Sequence, residues 1–131
     1  MIVLDTHALV WWLARAPELS KTARKAIAMA QRGGSVVASA ISVFEIATLV
    51  RRRRLRLGIG LDQYLNALRA LPELTIEPVT DEIARLAGSF TEPMHGDPAD
   101  RMIAATALAL GAELITADDK LRALPGLTAV W

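Results

Sequence analysis

Short apolar runs alternate along the chain with longer segments whose apolar residues recur at helical spacing. The runs are partly β-branched, as buried strands are, and they occupy residues 2–4, 35–38, 75–79, 113–116 and 127–130. The other segments predict helices over residues 41–53, 61–71, 81–90 and 98–110. An earlier helix is predicted between the cap residue Ser20 and the pair Gly33 and Gly34.

This alternation predicts an α/β fold. Strands that alternate with helices form a parallel sheet that helices cover on both faces. The chain has 131 residues, which suits one domain and leaves little room for a second. We therefore predict a single three-layer α/β/α domain over residues 1–131 with a short parallel sheet. Residues 54–60 are predicted to form an exposed connection between helices.

The composition restricts the chemistry that is open to the chain. Hydrophobic residues make up 53% of the sequence and charged residues 22%, which is typical of a globular protein. The absence of cysteine excludes disulfide scaffolds, thiolate zinc sites and cysteine nucleophiles. Because there are only 2 histidines, any metal must be held mainly by oxygen.

The mean hydropathy of +0.32 raises the question of a membrane segment. The longest apolar stretches, residues 8–14 and 102–112, are shorter than the ~18 residues that a spanning helix needs. The N-terminal residues have no basic region and soon reach Asp5, so they do not resemble a signal peptide. We expect no membrane contact and a cytoplasmic location.

Four acidic residues are predicted to lie at the carboxyl ends of the strands. Asp5 closes the first strand, and Asp118 lies two residues after the fourth. Glu45 and Asp100 each lie in the first turn of a predicted helix. Ligands bind outside the carboxyl ends of parallel strands, and the helices that follow begin at the same edge. The four carboxylates are therefore expected to converge.

Helix capping is an alternative explanation for each acid, because helix N-termini favour acidic residues. Residues 42–45 have the pattern of a capping box, in which Glu45 returns to the Ser42 amide. The other candidate caps are Asp5 or Thr6, Asp97 before Pro98, and Asp118 or Asp119.

Capping alone does not explain Asp100, which follows a better cap, Asp97, and precedes an inward stripe of Ile103, Ala107 and Leu110. Ser, Thr or Asn would cap equally well, yet all the predicted edge positions carry acids. Carboxylates this close repel one another unless cations separate them. Oxygen ligands without sulfur favour Mg²⁺ or Mn²⁺, and such sites activate water and stabilise the leaving oxygen of a phosphodiester.

Four motifs follow one another along essentially the whole chain. They are DTHALVWWL at residues 5–13, Ser42-x-x-Glu45, His95-x-Asp97-Pro98-x-Asp100-Arg101, and Thr116-x-Asp118. Each motif is weak alone, but the ordered set resembles the PIN-domain ribonucleases, and most of all the VapC-type toxins of bacterial type II toxin–antitoxin pairs. Ala99 departs from the family, which usually has a larger apolar residue there.

The resemblance implies an Mg²⁺- or Mn²⁺-dependent endoribonuclease. On this interpretation Asp5, Glu45, Asp100 and Asp118 are the catalytic and metal-binding acids. They hold one or two cations that polarise the scissile phosphate and generate the attacking hydroxide. Thr116 would orient the site by hydrogen bonding, with Thr6 in support, and the Thr-x-Asp spacing favours Asp118 over Asp119. The resemblance also implies a homodimer and a cognate antitoxin that covers the active site.

Several further residues have both a structural and a functional interpretation. His7 is expected to pack beside Trp11 rather than contact a phosphate, and His95 to be a loop residue. Trp11 and Trp12 point about 100° apart on a helix, so we expect them not to share one core and one of them to serve a dimer or antitoxin interface. Arg101 is expected to pair with Asp97 or another carboxylate. An arginine group is expected to complement a helix dipole or to contact RNA or an antitoxin, and it comprises Arg51, Arg52, Arg53, Arg54 and Arg56.

The chain lacks the sequence motifs of several other enzyme classes. There is no phosphate-binding P-loop, no G-x-G-x-x-G after the first strand, no G-x-S-x-G and no H-E-x-x-H. Phosphoryl transfer with Asp5 as nucleophile is disfavoured, because His7 stands where that chemistry typically has a second acid. The alternative is a PIN-like module that binds RNA or protein without cutting. The presence of all four acids favours the nuclease.

Overall fold

The computed structural model describes residues 1–91 and 96–131, and His95 lies outside these ranges. Within them, five parallel strands form one sheet in the order β3-β2-β1-β4-β5. The strands are β1 (Ile2–Leu4), β2 (Val36–Ser39), β3 (Leu74–Glu77), β4 (Glu113–Ile115) and β5 (Ala129–Val130). The predicted parallel sheet is therefore confirmed, with some strand ends displaced by up to two residues.

The helices of the described ranges alternate with these strands. They are α1 (Thr6–Ala14), α2 (Lys21–Arg32), α3 (Ala40–Arg51), α4 (Leu61–Ala70), α5 (Asp81–Ser89), α6 (Pro98–Leu110) and α7 (Asp119–Arg122). The prediction for α6 is confirmed at both ends: Asp97 caps its N-terminus, and Gly111 ends it at a φ of 63°, which glycine adopts without strain. None of the described helices has the length and apolarity needed to cross a membrane.

The sheet separates two layers of helices, as the alternation of strands and helices predicted. Side chains of successive strand residues point to opposite faces, and β1 shows this directly. Ile2 and Leu4 pack in a core with residues of α1, α2 and α4, whereas Val3 packs with residues of α6. Both sides of β1 are therefore covered, and its edges pair with neighbouring strands.

The strand register brings the residues that follow β1, β2 and β4 to one edge of the sheet. Leu4 pairs with Ala38 of β2 and with Ile115 of β4. The amide of the next residue, Asp5, donates a hydrogen bond to the Ile115 carbonyl at 3.1 Å. Thr116 follows β4 at the same level. This edge is where the four acids were predicted to converge.

The prediction that Trp11 and Trp12 cannot share a core is wrong. Both side chains are partly buried and pack against the same hydrophobic cluster, which includes Leu9. The Trp131 ring lies beside that of Trp11, with the ring centroids 5.7 Å apart. The C-terminal residue thus extends the apolar surface around α1, so that two neighbouring faces of the helix are covered.

Candidate active site

A cavity of about 330 Å³ lies at the carboxyl edge of the sheet. The four predicted acids line it together with one acid that was not predicted to belong to the group, Asp97. The complete described lining is Asp5, Thr6, His7, Trp11, Glu45, Asp97, Asp100, Ala117 and Asp118. No lysine or arginine occurs in this described lining. The predicted convergence of the acids is therefore confirmed as a matter of geometry.

Asp5 is held in place by the first turn of α1 and by the end of β4. Its carboxylate accepts a hydrogen bond from the Ala8 amide at 2.8 Å and so caps α1. The buried Thr116 hydroxyl donates to the same carboxylate and accepts a hydrogen bond from the Asp118 amide at 3.1 Å. Asp5 both caps a helix and lines the cavity, so the two interpretations of this residue are compatible.

Glu45 lies in the second turn of α3, not in the first turn as predicted. The reason is that β2 extends to Ser39 and α3 already begins at Ala40. Ser39 caps the helix by accepting a hydrogen bond from the Ile41 amide at 3.1 Å. The predicted capping box between Ser42 and Glu45 is therefore wrong, since both residues lie within the helix.

Thr6 links α1 to Glu45. Its hydroxyl donates a hydrogen bond to Glu45 Oε1, and Thr6 Oγ1 lies 2.9 Å from Ser42 Oγ. Thr6 is 3% exposed and Ser42 is fully buried. The predicted supporting residue Thr6 thus contacts one of the acids. The contact of Ser42 was missed, because the apparent capping box offered a local explanation for this serine.

Asp97 is the acid that the sequence analysis missed as a member of the group. Single carboxylate oxygens of Glu45, Asp97 and Asp100 all lie within 4.8 Å of one another. Asp97 Oδ1 also accepts a hydrogen bond from the Ala99 amide at 2.9 Å and so caps α6, as predicted. Residues 97 and 100 are three apart and lie on neighbouring positions of one helical turn. That spacing was the available signal, and the capping role concealed it.

The donor set suits a hard divalent cation. The lining offers carboxylate oxygens from five residues, and the chain has no thiolate that would favour a softer metal. Opposed oxygens at 2.0–2.1 Å from one Mg²⁺ lie about 4 Å apart. The oxygens of Glu45, Asp97 and Asp100 lie within 4.8 Å of one another, so they are near enough together to contribute to one cation site.

Burial and repulsion act together on Asp100. Burial raises the pKa of this carboxyl from its ordinary value of 3.8 to about 7. The negative charges that add to this increase in pKa belong to Asp97, Glu45, Asp118 and Asp5. Asp100 therefore carries a proton over a pH range in which an exposed aspartate is fully ionised.

Burial and hydrogen bonding have opposite effects on the pKa values of two further acids, Asp5 and Glu45. Burial raises the pKa of Asp5, whereas the hydrogen bond from Thr116 lowers it in part. Burial likewise raises the pKa of Glu45, and the hydrogen bond from Thr6 opposes this effect. The threonine hydroxyls thus favour the ionised carboxylates that a cation would bind.

The predicted arginine group lies on the surface at the end of α3. Arg51 is the last residue of the helix and Arg52 its C-terminal cap. Both are exposed, as are the remaining members of the group, Arg53, Arg54 and Arg56. None of them belongs to the described cavity lining. The connection after α3 is anchored by Leu55 and Leu57, which pack against the core.

His7 and Arg101 both make contacts within the fold. The His7 ring packs beside Trp11, as predicted, with ring centroids 5.5 Å apart, and both residues line the cavity. Arg101 donates hydrogen bonds to the carbonyl of Ala87, at 2.9 Å, and to that of Phe90. These contacts join the start of α6 to the end of α5.

The sequence of the chain matches a known family over nearly its whole length. Residues 2–127 match the PIN domain. The chain belongs to the PIN-domain family. Ribonuclease VapC22 of Mycobacterium tuberculosis is 35% identical to this PIN-domain chain over 132 residues, which cover 99% of the chain and 98% of the relative. Within the family, the chain is therefore of the VapC type.

Solved structures share the same PIN-domain fold. The VapBC2 structure from Rickettsia felis, bound to a promoter DNA fragment, contains a chain of 18% identity with a TM-score of 0.72, covering 98% of this chain and 97% of that one. The FitAcB structure from Neisseria gonorrhoeae contains one of 23% identity with a TM-score of 0.68, covering 98% and 96%. At these identities the likeness establishes the fold.

Proposed function

We propose that this PIN-domain protein is an endoribonuclease that depends on a divalent cation and acts as the toxin of a toxin–antitoxin pair. The observation that carries the proposal is the convergence of five carboxylates at one cavity. Helix capping accounts for Asp5, Asp97 and Asp118 but not for Asp100 or Glu45, which lie within helices. The 35% identity with a ribonuclease supports RNA as the substrate.

We assign metal binding and catalysis to Asp5, Glu45, Asp100 and Asp118, and we add Asp97 from its distance to two of them. The oxygen donors favour Mg²⁺ or Mn²⁺. One or two such cations, when bound, would neutralise the carboxylates, polarise the scissile phosphate and activate the attacking water. The protein itself would hold the carboxylates in place. The buried hydroxyls of Thr6 and Thr116 would contribute to this through their hydrogen bonds to Glu45 and Asp5.

The proposal includes macromolecular partners. A toxin–antitoxin complex from Klebsiella pneumoniae is among the structures with this fold, with 19% identity and a TM-score of 0.61. We propose a cognate antitoxin that covers the cavity, a homodimer, and a cytoplasmic site of action where RNA is available. The exposed arginine group would contact RNA phosphates or the antitoxin, since acids in the cavity repel a polyanion and cations elsewhere on the surface offset that repulsion.

The first experiment is expression of the chain in a bacterium beside its Asp100→Asn variant, followed by sequencing of new 5′ ends in total RNA. We expect discrete new ends with the parent and none with the variant, which would identify the activity and the substrate together. Identical ends from both proteins, at equal soluble amounts, would exclude catalysis at this cavity. The non-cutting PIN-like module would then be the better hypothesis.

The Asp97→Asn variant tests the added ligand. Because Asn caps helices as well as Asp does, we expect the free energy of unfolding to change by less than about 0.5 kcal/mol. The loss of a charged ligand is expected to reduce Mn²⁺ affinity by about 10-fold, measured by titration calorimetry. The matched control is Asp81→Asn, which removes an exposed acid from the first turn of α5. Unchanged Mn²⁺ affinity in the Asp97 variant would remove this residue from the site.

A further inference from the structure

Hydrogen bonds among three side chains join the start of α1 to the middle of α3. Thr6 donates to Glu45 Oε1, and Thr6 Oγ1 lies 2.9 Å from Ser42 Oγ. Thr6 is 3% exposed and Ser42 is 0% exposed, so water does not compete freely for these hydroxyls. Ser42 and Glu45 are three residues apart on α3 and therefore lie on neighbouring positions of one face.

The direction of the hydrogen bonds follows from the number of hydrogens. A threonine hydroxyl has one hydrogen, and in Thr6 it is used in the bond to Glu45. Ser42 must therefore be the donor in the contact between the two hydroxyls. The Ser42 hydrogen occupies a lone pair of Thr6 and leaves the Thr6 hydrogen directed at the carboxylate. Hydrogen bonds arranged in series in this way strengthen one another.

Glu45 needs such a support more than the aspartates that cap helices. The carboxylates of Asp5, Asp97 and Asp118 each accept a hydrogen bond from a backbone amide of the helix they cap. Glu45 lies inside α3, where the backbone amides are used within the helix, and its side chain has one more rotatable bond than that of aspartate. A donor from another element is therefore the available means of fixing its carboxylate.

We propose that Thr6 and Ser42 are positioning residues that hold the Glu45 carboxylate in its cation-binding orientation. The inference rests on the proposed function, since it assumes that Glu45 binds the cation. Thr6 directly follows Asp5 in the chain. Asp5 is fixed because it caps α1, and Glu45 is fixed by the hydrogen bond from the adjacent Thr6 hydroxyl. Movement of α1 relative to α3 would thus displace both acids together.

The test compares the Thr6→Val and Thr6→Ser variants. Val keeps the shape of threonine without its hydroxyl, whereas Ser keeps the hydroxyl without the methyl group. For Thr6→Val we expect about 10-fold weaker Mn²⁺ binding and a kcat for RNA cleavage that is lower by about 10-fold or more, with KM changed less than about 2-fold. Thr6→Ser is expected to stay within about 3-fold of the parent. Mn²⁺ binding is measured by electron paramagnetic resonance.

Two controls separate positioning from a general effect on the fold. Thr106→Val makes the same change at another buried threonine, whose hydroxyl donates to the Met102 carbonyl at 2.7 Å, and is expected to leave Mn²⁺ affinity unchanged. In a Glu45→Ala background, Thr6→Val is expected to add less than about a 2-fold loss, because the carboxylate that it positions is absent. Ser42→Ala, with an expected loss of about 3-fold, provides the test should Thr6→Val not fold.

The outcomes distinguish the inference from the proposed function. Parent-like Mn²⁺ affinity and kcat in Thr6→Val and Ser42→Ala, with Glu45→Ala impaired, would overturn the positioning role alone. Equal impairment of Thr6→Val and Thr6→Ser would also overturn it, because the hydroxyl would then not be the cause. If the losses caused by Thr6→Val and Glu45→Ala add fully in the double variant, Thr6 does not act through Glu45. Parent-like cleavage by Glu45→Ala would remove Glu45 from the site and contradict the proposed function itself at that residue.

Discussion

The Asp100→Asn variant is expected to lose RNA cleavage by more than about 100-fold and to be more stable than the parent at pH 8 in the presence of a chelator. The first effect follows from the loss of a charged ligand in the centre of the acidic group. The second follows because the same carboxylate is partly buried and repelled by its neighbours. A purely structural acid would show the opposite combination, with lower stability and retained cleavage.

The size of the stability difference between Asp100→Asn and the parent depends on pH. The pKa of Asp100 is about 7 in the folded protein and 3.8 in an unperturbed aspartate. The parent is therefore destabilised as the pH rises from about 4 through 7, while the uncharged Asn variant is not. Because Asp100 is only partly buried, solvent screens part of the repulsion, and we expect a difference of about 1–2 kcal/mol at pH 8.

Thermal melts at a series of pH values measure this difference. At pH 4 a protonated aspartate and an asparagine have similar shape and no charge, so the two melting temperatures are expected to be close. At pH 8 the variant is expected to melt higher by roughly 3–8 °C. Using the variant as reference cancels the titration of the other acids of the chain. A variant that melts below the parent at pH 8 would contradict the assignment of repulsion at this site.

The fold was predictable because its signals are local and repeated. The short apolar run of β1, the cap formed by Asp97 with Pro98, and the glycine that ends α6 are each encoded over a few residues. Parallel pairing of such strands then follows from the helices that connect them. The end of β2 was displaced because a polar residue, Ser39, belongs to the sheet and also caps α3.

The convergence of the four predicted acids on one cavity was predictable, whereas the contacts among its residues were less so. Asp5, Glu45, Asp100 and Asp118 could be placed at one edge, because a parallel sheet brings the ends of its strands together. The Thr6 and Ser42 contacts connect residues 36 to 39 apart in sequence, and no local pattern encodes them. Asp97 was missed for a different reason, since its role as the cap of α6 was sufficient to explain its presence.

Addition of Mn²⁺ is expected to stabilise the parent strongly at pH 8 and to have little effect on Asp100→Asn. A ligand that binds only the folded state at 100 times its Kd adds about 2.7 kcal/mol to the free energy of unfolding. For a chain of this length that corresponds to a rise in melting temperature of roughly 10 °C. The measurement is differential scanning calorimetry with and without the cation, with Asp81→Asn as a control expected to respond like the parent.

The same stabilisation is expected to decrease at acidic pH, because protons and Mn²⁺ compete for the same oxygens. With a pKa of about 7 for Asp100, each pH unit below that value reduces the apparent affinity about 10-fold, so binding at pH 5.5 is expected to be about 30-fold weaker than its limit. A cation effect that is equal in parent and Asp100→Asn, or that does not change with pH, would place the bound Mn²⁺ outside this group. The ionised carboxylate of Asp100 among its acidic neighbours thus has two effects at pH 8. It destabilises the cation-free protein by repulsion, and it increases the affinity for a cation.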